Sequence, residues 1–98
     1  MKELKITVPA SRDLNEISEY FLAQSLEAGD RFVQGFNQKC KNLARFPHIG
    51  KSYPHLMPGL RGLLLMNHII FYRVSEQQIE ILRVVSGFQD LQQIFSQN

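Results

Sequence analysis

Three apolar segments joined by very short links constrain the fold of this chain more than any other feature. They span residues 60–66, 68–74 and 79–85, and each is rich in the β-branched, aromatic and large aliphatic residues that favour strands. Because the links are too short to hold a crossover helix, consecutive strands must run antiparallel, as a meander. The apolar run Ile69-Ile70-Phe71 predicts a sheet that is covered on one face and partly on the other.

Two helical patterns precede these strands. The first begins near Pro9, a residue favoured in the first helical turn, and ends before Gln24-Ser25. The second has Ser25 as its predicted N-cap and runs to about Phe46, where Pro47 ends it. The apolar residues of the first helix are Ala10, Leu14, Ile17 and Phe21, and those of the second are Ala28, Phe32, Phe36, Cys40 and Leu43, with Val33 and Phe46 beside them. The short link predicts an antiparallel α-hairpin.

The remaining segments complete an α+β fold. Residues 3–7 alternate polar and apolar, which predicts a short first strand, while the Pro- and Gly-rich residues 48–59 predict a loop. Residues 88–95 are compatible with a short C-terminal helix. The predicted order is therefore β-α-α-β-β-β, with the α-hairpin packed on a small antiparallel sheet in a single domain, 1–98.

Composition excludes several classes of protein. The 98 residues are 44% apolar, which excludes disorder, and no apolar run is long enough to span a membrane. The single cysteine, Cys40, excludes an internal disulfide framework and suits a reducing compartment, so we expect a cytoplasmic protein. The net charge of +2 permits contact with nucleic acid or an acidic partner without requiring it, and direct nucleic-acid binding stays open.

The chain contains no recognisable metal, cofactor or nucleophile motif. His48, His55 and His68 are scattered along the sequence, and Cys40 lies in a helical apolar stripe, where it is expected to be a small buried hydrophobe. The Gly59–Gly62 segment lacks the lysine and the following helix of a phosphate-binding loop. We therefore predict no catalytic residues, no metal and no cofactor.

Arginines recur on the predicted sheet. Arg61, Arg73 and Arg83 each belong to a different strand of the meander, and with Lys51 they are predicted to form a cationic patch that binds the target. The alternative is that Arg73 and Arg83 are solvent-side residues that pair with Glu76 or Glu80. Sequence leaves both possibilities open, because it does not show whether the side chains converge.

Several phrases recur along the chain in a characteristic order and spacing: Ala10…Arg12-Asp13-Leu14…Ile17…Tyr20-Phe21, Ala28…Arg31-Phe32, Leu43…Phe46-Pro47…Gly50, Pro58-Gly59-Leu60-Arg61, Ile70-Phe71-Tyr72-Arg73-Val74 and Ile79-Glu80-Ile81-Leu82-Arg83-Val84. Together they resemble the ParE branch of the RelE/ParE toxins of bacterial toxin–antitoxin pairs. The resemblance covers about nine tenths of the chain. It implies a toxin fold, a cognate antitoxin encoded beside it, and growth inhibition, with plasmid stabilisation as a family role.

The resemblance also implies a choice of target. RelE-like members cleave messenger RNA on the ribosome and need cationic residues with a C-terminal arginine and tyrosine, whereas ParE-like members bind DNA gyrase. At the aligned positions this chain has Ile69, Gln89 and Phe95. We therefore expect a non-enzymatic gyrase inhibitor, with a ribosome-dependent ribonuclease or a weakly toxic antitoxin-binding module as alternatives. Where ParE-like members often read His-Gly-x-Arg-Asp, this chain has Ser86-Gly87-Phe88-Gln89-Asp90.

The antitoxin is predicted to cover apolar surface on the helical hairpin and the sheet edge. Phe36, Leu56, Met57 and Leu63 are its predicted contacts, together with the rest of the run to Met66. The alternative is that all of these residues fill the core.

Overall fold

The computed structural model describes residues 2–96, so residues 1, 97 and 98 of the predicted domain lie outside the described residues. Within that range the chain forms three helices and five strands. They are β1 (Glu3–Ile6), α1 (Val8–Gln24), α2 (Leu26–Arg45), β2 (Lys51–Ser52), β3 (Leu60–Leu65), β4 (His68–Val74), β5 (Gln78–Ser86) and α3 (Leu91–Phe95). This confirms the predicted α+β class, the α-hairpin and the meander of β3, β4 and β5. None of the helices in residues 2–96 combines the length and hydropathy needed to cross a membrane.

Side-chain caps define the helical hairpin. The Thr7 hydroxyl accepts a hydrogen bond from the Ala10 N–H at the start of α1. Ser25 serves both helices, because its N–H donates to Phe21 O at the end of α1 while its hydroxyl accepts from the Ala28 N–H of α2. Gly29, one turn into α2, lies where a Cβ atom would collide with the Leu22 side chain, so a glycine lets the two helices meet closely here.

The sheet differs from the prediction in two respects. Its strand order is β1-β5-β4-β3-β2, and β1 runs parallel to β5 while the other pairs are antiparallel. The sheet is therefore mixed rather than wholly antiparallel. Between β1 and its parallel neighbour β5, the chain passes through both long helices and strands β2 to β4. This is the long crossover connection that a parallel pair requires. Strand β2 lies within the segment predicted as the loop 48–59.

A β-bulge interrupts the pairing of β4 with β5. Phe71 pairs with Arg83, but the next residue, Tyr72, pairs with Ile81, so Leu82 has no opposite residue. The bulge shifts which side chains of β5 share a face, and it places Leu82 and Arg83 near one another on the same side of the strand. This shift sets the position of Arg83.

Each face of the sheet carries its own apolar cluster. The larger one lies under α1 and α2, where Phe32, Leu43 and Tyr72 are almost fully buried. The smaller one lies on the opposite face, where Leu60, Phe71 and Val85 are covered by α3 and by residues of the 53–57 loop. The predicted sheet, covered on one face and partly on the other, is thus confirmed in detail.

Candidate functional site

Arg61 serves as a clamp on the loop that follows α2. Its Nη1 atom donates to the carbonyl oxygens of His48, at 3.2 Å, and Gly50, at 2.8 Å. The hydroxyl of the fully buried Tyr72 accepts from the Gly50 N–H at 2.8 Å. A Cβ atom at position 50 would collide with that hydroxyl, so the loop can pack against Tyr72 in this way only with glycine at this position. These bonds hold the backbone from residue 48 to residue 50 against the sheet.

The other two arginines make ion pairs. Arg73 contacts Glu80 at 3.4 Å, and its side chain remains 46% exposed. Arg83 binds Asp13 of α1 through both carboxylate oxygens, at 2.7 and 3.0 Å. The Arg73 pair was one of the predicted alternatives, whereas the partner of Arg83 is an acid that the sequence did not single out.

The predicted cationic patch of Arg61, Arg73, Arg83 and Lys51 does not form as one surface. Arg61 lies opposite Tyr72 in the sheet and Arg73 lies opposite Leu60, so their side chains point to opposite faces. Arg83 is turned toward α1 by its pair with Asp13. Lys51 is exposed and lies 5.4 Å from the centre of the Tyr53 ring. Arg61 and Arg73 therefore do not share a face of the sheet, and binding of the target by these four residues stays a prediction.

The positions that a ribonuclease of the RelE type would need hold no group able to transfer a proton. Ile69 is buried and Phe95 packs against Phe71, at a centroid distance of 4.8 Å. Gln89 folds back, and its Oε1 accepts from the Ser86 N–H at 2.8 Å. Burial raises the pKa of Tyr72, and its hydroxyl is already used by Gly50, so this tyrosine is not accessible to a substrate.

Part of the predicted antitoxin surface is buried within the fold. Phe36 is 7% exposed and belongs to the core. Leu63 packs on the same cluster, and Leu56 and Met57 pack on the smaller one, all three half-buried. Of this predicted set, Phe36 is consequently a core residue, and the other three present only part of their surface.

The outer edge of β3 is open. Strand β2 pairs only with Arg61 and Gly62, and among residues 2–96 no strand lies on the outer side of residues 63–65. The run continues the apolar surface that the sequence pointed to, since Leu64 is 64% and Met66 49% exposed. Val33 of α2 is likewise 46% exposed. An apolar strand edge without a neighbouring strand is a surface to which another chain can add.

Cys40 and the histidines show no sign of a reactive site. Burial raises the pKa of the Cys40 thiol to about 11, so the thiol is protonated at neutral pH. Within residues 2–96, no group of three histidine, cysteine or acidic side chains is placed to hold a metal ion.

Comparison with known proteins matches the chain to one family. A family model described as the ParE toxin of the type II toxin–antitoxin system parDE matches residues 4–91. Among solved structures, the chain is similar to a protein of the chromosomal ParDE toxin–antitoxin system from P. aeruginosa, with 29% identity and a TM-score of 0.74. That match covers 88% of this chain and 96% of the other. Among curated proteins, none matches.

Proposed function

The chain belongs to the ParE toxin family of type II toxin–antitoxin systems, and from this premise we propose that it inhibits DNA gyrase by binding and is neutralised by a cognate antitoxin. Gyrase is the target that the resemblance to ParE-like toxins implies. The observation that carries the choice is the buried Tyr72, whose hydroxyl accepts from Gly50 and is closed to substrate. With Phe95 and Gln89 also unable to supply acid–base chemistry, a binding mechanism is better supported than RNA cleavage.

Two assays on the same induced culture test this choice. Plasmid supercoiling and messenger integrity are measured after expression of the chain alone and together with its antitoxin. We expect relaxed or cleaved plasmid, intact ribosome-bound messenger, and reversal of both the growth defect and the plasmid change by the antitoxin. Cleaved messenger with normal supercoiling would support the ribonuclease instead, and normal growth with tight antitoxin binding would support the weakly toxic module.

The antitoxin surface is proposed to centre on the open edge of β3. An extended peptide added beside residues 63–65 would pair with the backbone groups of Leu64, which point away from β4, and would cover the Leu64 and Met66 side chains. Leu63 packs on the larger cluster, whereas Leu64, opposite Ile69, faces the side of the smaller cluster on which Leu56 and Met57 pack.

Amide exchange with and without the antitoxin tests this location. We expect new protection at the Leu64 amide, which points away from β4, and little change in β1, which lies at the opposite edge. Protection confined to α1, with the β3 amides still exchanging, would place the antitoxin elsewhere.

Of the four cationic residues predicted to bind the target, Lys51 and Arg73 fit that role best. Both remain exposed, whereas Arg61 and Arg83 hold the loop and the sheet edge through hydrogen bonds. Charge reversal at Lys51 or Arg73 is expected to weaken toxicity while the melting temperature changes little. Reversal at Arg61 or Arg83 is expected to lower the melting temperature, so any loss of toxicity there would follow from unfolding.

A further inference from the structure

A groove lies between α1 and the end of the sheet at which His68 of β4 pairs with Ser86 of β5. It has a volume of about 560 Å³, within the range of roughly 300–1,000 Å³ that is usual for ligand-binding clefts. The side chains that define it are Glu16, Tyr20, Phe21, Asn67, His68 and Phe88, and we call these six residues the aromatic groove. None of the surfaces proposed above includes them.

Aromatic rings form one continuous wall of the aromatic groove. Tyr20 and Phe21 follow each other on α1, and their ring centres lie 5.4 Å apart in an edge-to-face arrangement. The Phe21 ring centre lies 6.1 Å from that of His68, which extends the wall to the sheet. Tyr20 is 62% exposed, and Phe88, in the turn after β5, is 89% exposed. These two rings are therefore available to a ligand.

The aromatic groove also carries an uncompensated negative charge. Glu16 is exposed one turn before Tyr20 on α1, and none of the ion pairs within residues 2–96 uses it. The hydrogen bonds that Arg83 donates to Asp13 raise the pKa of Arg83, and the charge of Glu16 raises it further, so Glu16 lies close to this pair. Two carboxylates therefore share one guanidinium. His68 does not restore the balance, because burial lowers its pKa and leaves the ring neutral at neutral pH.

These two features restrict what can occupy the aromatic groove. An apolar occupant would remove the Glu16 carboxylate from water without giving it a partner, which is costly, and an acidic occupant would be repelled. A guanidinium suits both features, because it pairs with a carboxylate and its planar face stacks on an aromatic ring. The high exposure of Tyr20 and Phe88 leaves the groove too open to enclose a small ligand, whereas a polypeptide lying across it would add contacts on either side.

From these observations we propose that the aromatic groove binds a partner polypeptide through an arginine side chain. The guanidinium pairs with Glu16 and stacks on Tyr20 or Phe88, and an apolar neighbour of the arginine packs on Phe21. The exposed side-chain amide of Asn67 is placed at the groove to bond to the backbone of the bound segment. The inference goes beyond gyrase inhibition and antitoxin binding at the β3 edge, and it depends on neither.

NMR titration of the isotope-labelled full chain tests the proposal with a peptide of sequence Ala-Leu-Arg-Leu-Ala, blocked at both ends. The control peptide carries citrulline, which has nearly the shape of arginine but no charge. We expect the arginine peptide to shift the amide signals of Tyr20, Asn67 and Phe88. The citrulline peptide should bind about fivefold more weakly, because it loses both the ion pair and the cation–π contact.

A double-mutant cycle assigns the ion pair to Glu16. Glu16→Gln should weaken binding of the arginine peptide about threefold and leave binding of the citrulline peptide unchanged. Glu19→Gln removes an exposed acid from the same helix outside the aromatic groove and should affect neither peptide. Equal losses in the two variants, or a loss in Glu16→Gln that persists with citrulline, would overturn the proposal.

A second pair of variants tests stacking. Phe88→Leu keeps an apolar side chain but removes the ring, and it should weaken binding of the arginine peptide about threefold. Phe46→Leu alters a ring that is 58% exposed outside the aromatic groove and should have no effect. The proposal also fails if the arginine peptide does not bind, or if it shifts only amides outside the groove. Butylguanidinium binding as tightly as the peptide would assign the groove to a small organic cation and exclude the polypeptide.

Discussion

The two edges of the sheet are finished in different ways. At one edge β1 pairs with β5 over residues 78–81, and beyond the end of β1 side chains take the place of a strand. The Thr7 hydroxyl donates toward the carbonyls of Ile81 and Leu82, at 2.9 and 3.1 Å. Asp13 accepts from the Val84 N–H at 3.0 Å. Gln89, in the turn before α3, accepts from the Ser86 N–H through its Oε1 atom at 2.8 Å.

At the opposite edge only the two residues of β2 cover β3. In the part of the chain that the structure describes, no strand lies outside residues 63–65, and the side chains there are apolar. Unpaired strand edges are templates for another chain, and proteins usually block them with charges, short strands or covering side chains. This chain uses three polar side chains to complete one edge and none to complete the other. The difference indicates that the β3 edge is kept open for a partner.

The largest expected effect comes from breaking the closed edge. Asp13→Ala removes both hydrogen bonds to Arg83 and leaves the Val84 N–H without its acceptor. Since the Asp13 side chain is only 14% exposed, we expect the free energy of unfolding to fall by about 2 kcal/mol. Chemical denaturation measures the change. The exposed Glu19→Ala, on the same helix, should cost little, and an equal loss in both variants would contradict the role given to Asp13.

Weakening the attachment of β2, the two-residue strand that covers part of the β3 edge, should lower the free energy of unfolding by a somewhat smaller amount. Tyr72→Phe leaves the buried Gly50 N–H without an acceptor, at an expected cost of about 1–2 kcal/mol. Because Gly50 directly precedes β2, amide exchange of Lys51 and Ser52 should rise in this variant. Tyr53→Phe, in the same region, is the control. Unchanged stability with a complete loss of toxicity would instead give the Tyr72 hydroxyl a chemical role.

A charge placed on the open edge should discriminate between binding and folding. Leu64 is 64% exposed, so Leu64→Lys should change the melting temperature little. A lysine on the edge disfavours strand addition, and antitoxin affinity should fall by about tenfold or more. Leu26→Lys adds the same charge at a side chain that is 77% exposed on α2 and should leave affinity unchanged. Equal affinities for both variants would show that the antitoxin does not use this edge.

Local signals were sufficient to predict most of the elements. Ser25 acts as the predicted N-cap, and the three strands of the meander lie within a residue or so of the predicted bounds. These features depend on neighbours in sequence, where spacing, caps and turns act directly. The order of these elements predicted the α+β arrangement, which the structure confirms.

The missing features depend on residues far apart in the chain. The parallel partner of Leu4 is Ile79, and the acid that binds Arg83 is 70 residues away from it. A pattern among neighbouring residues does not show which distant residues will pair. The pairing register puts Arg61 and Arg73 on opposite faces, and the bulge at Leu82 changes the alternation of β5 before Arg83, so local patterns did not show how the arginines lie relative to one another. The separation of charge was readable from the sequence, because residues 31–75 contain seven lysines and arginines and no acidic residue, but the net charge of +2 conceals it.

The smallest expected effect concerns His68, which lies at the start of β4, away from both edges. The centre of its ring lies 6.1 Å from that of Phe21 and 6.0 Å from that of Phe32, and its buried Nδ1 atom has no hydrogen-bond partner among residues 2–96. Burial lowers the pKa of His68, so the unfolded chain binds a proton more readily than the folded one. Stability should therefore be unaffected above pH 6.5 and should decline as the pH falls below that ordinary value. Thermal melts of His68→Gln should show a weaker decline than the native chain, while the exposed His55→Gln should follow the native chain. If His68→Gln keeps the full decline, another group is responsible, and the interior between the two edges contributes nothing to the pH dependence.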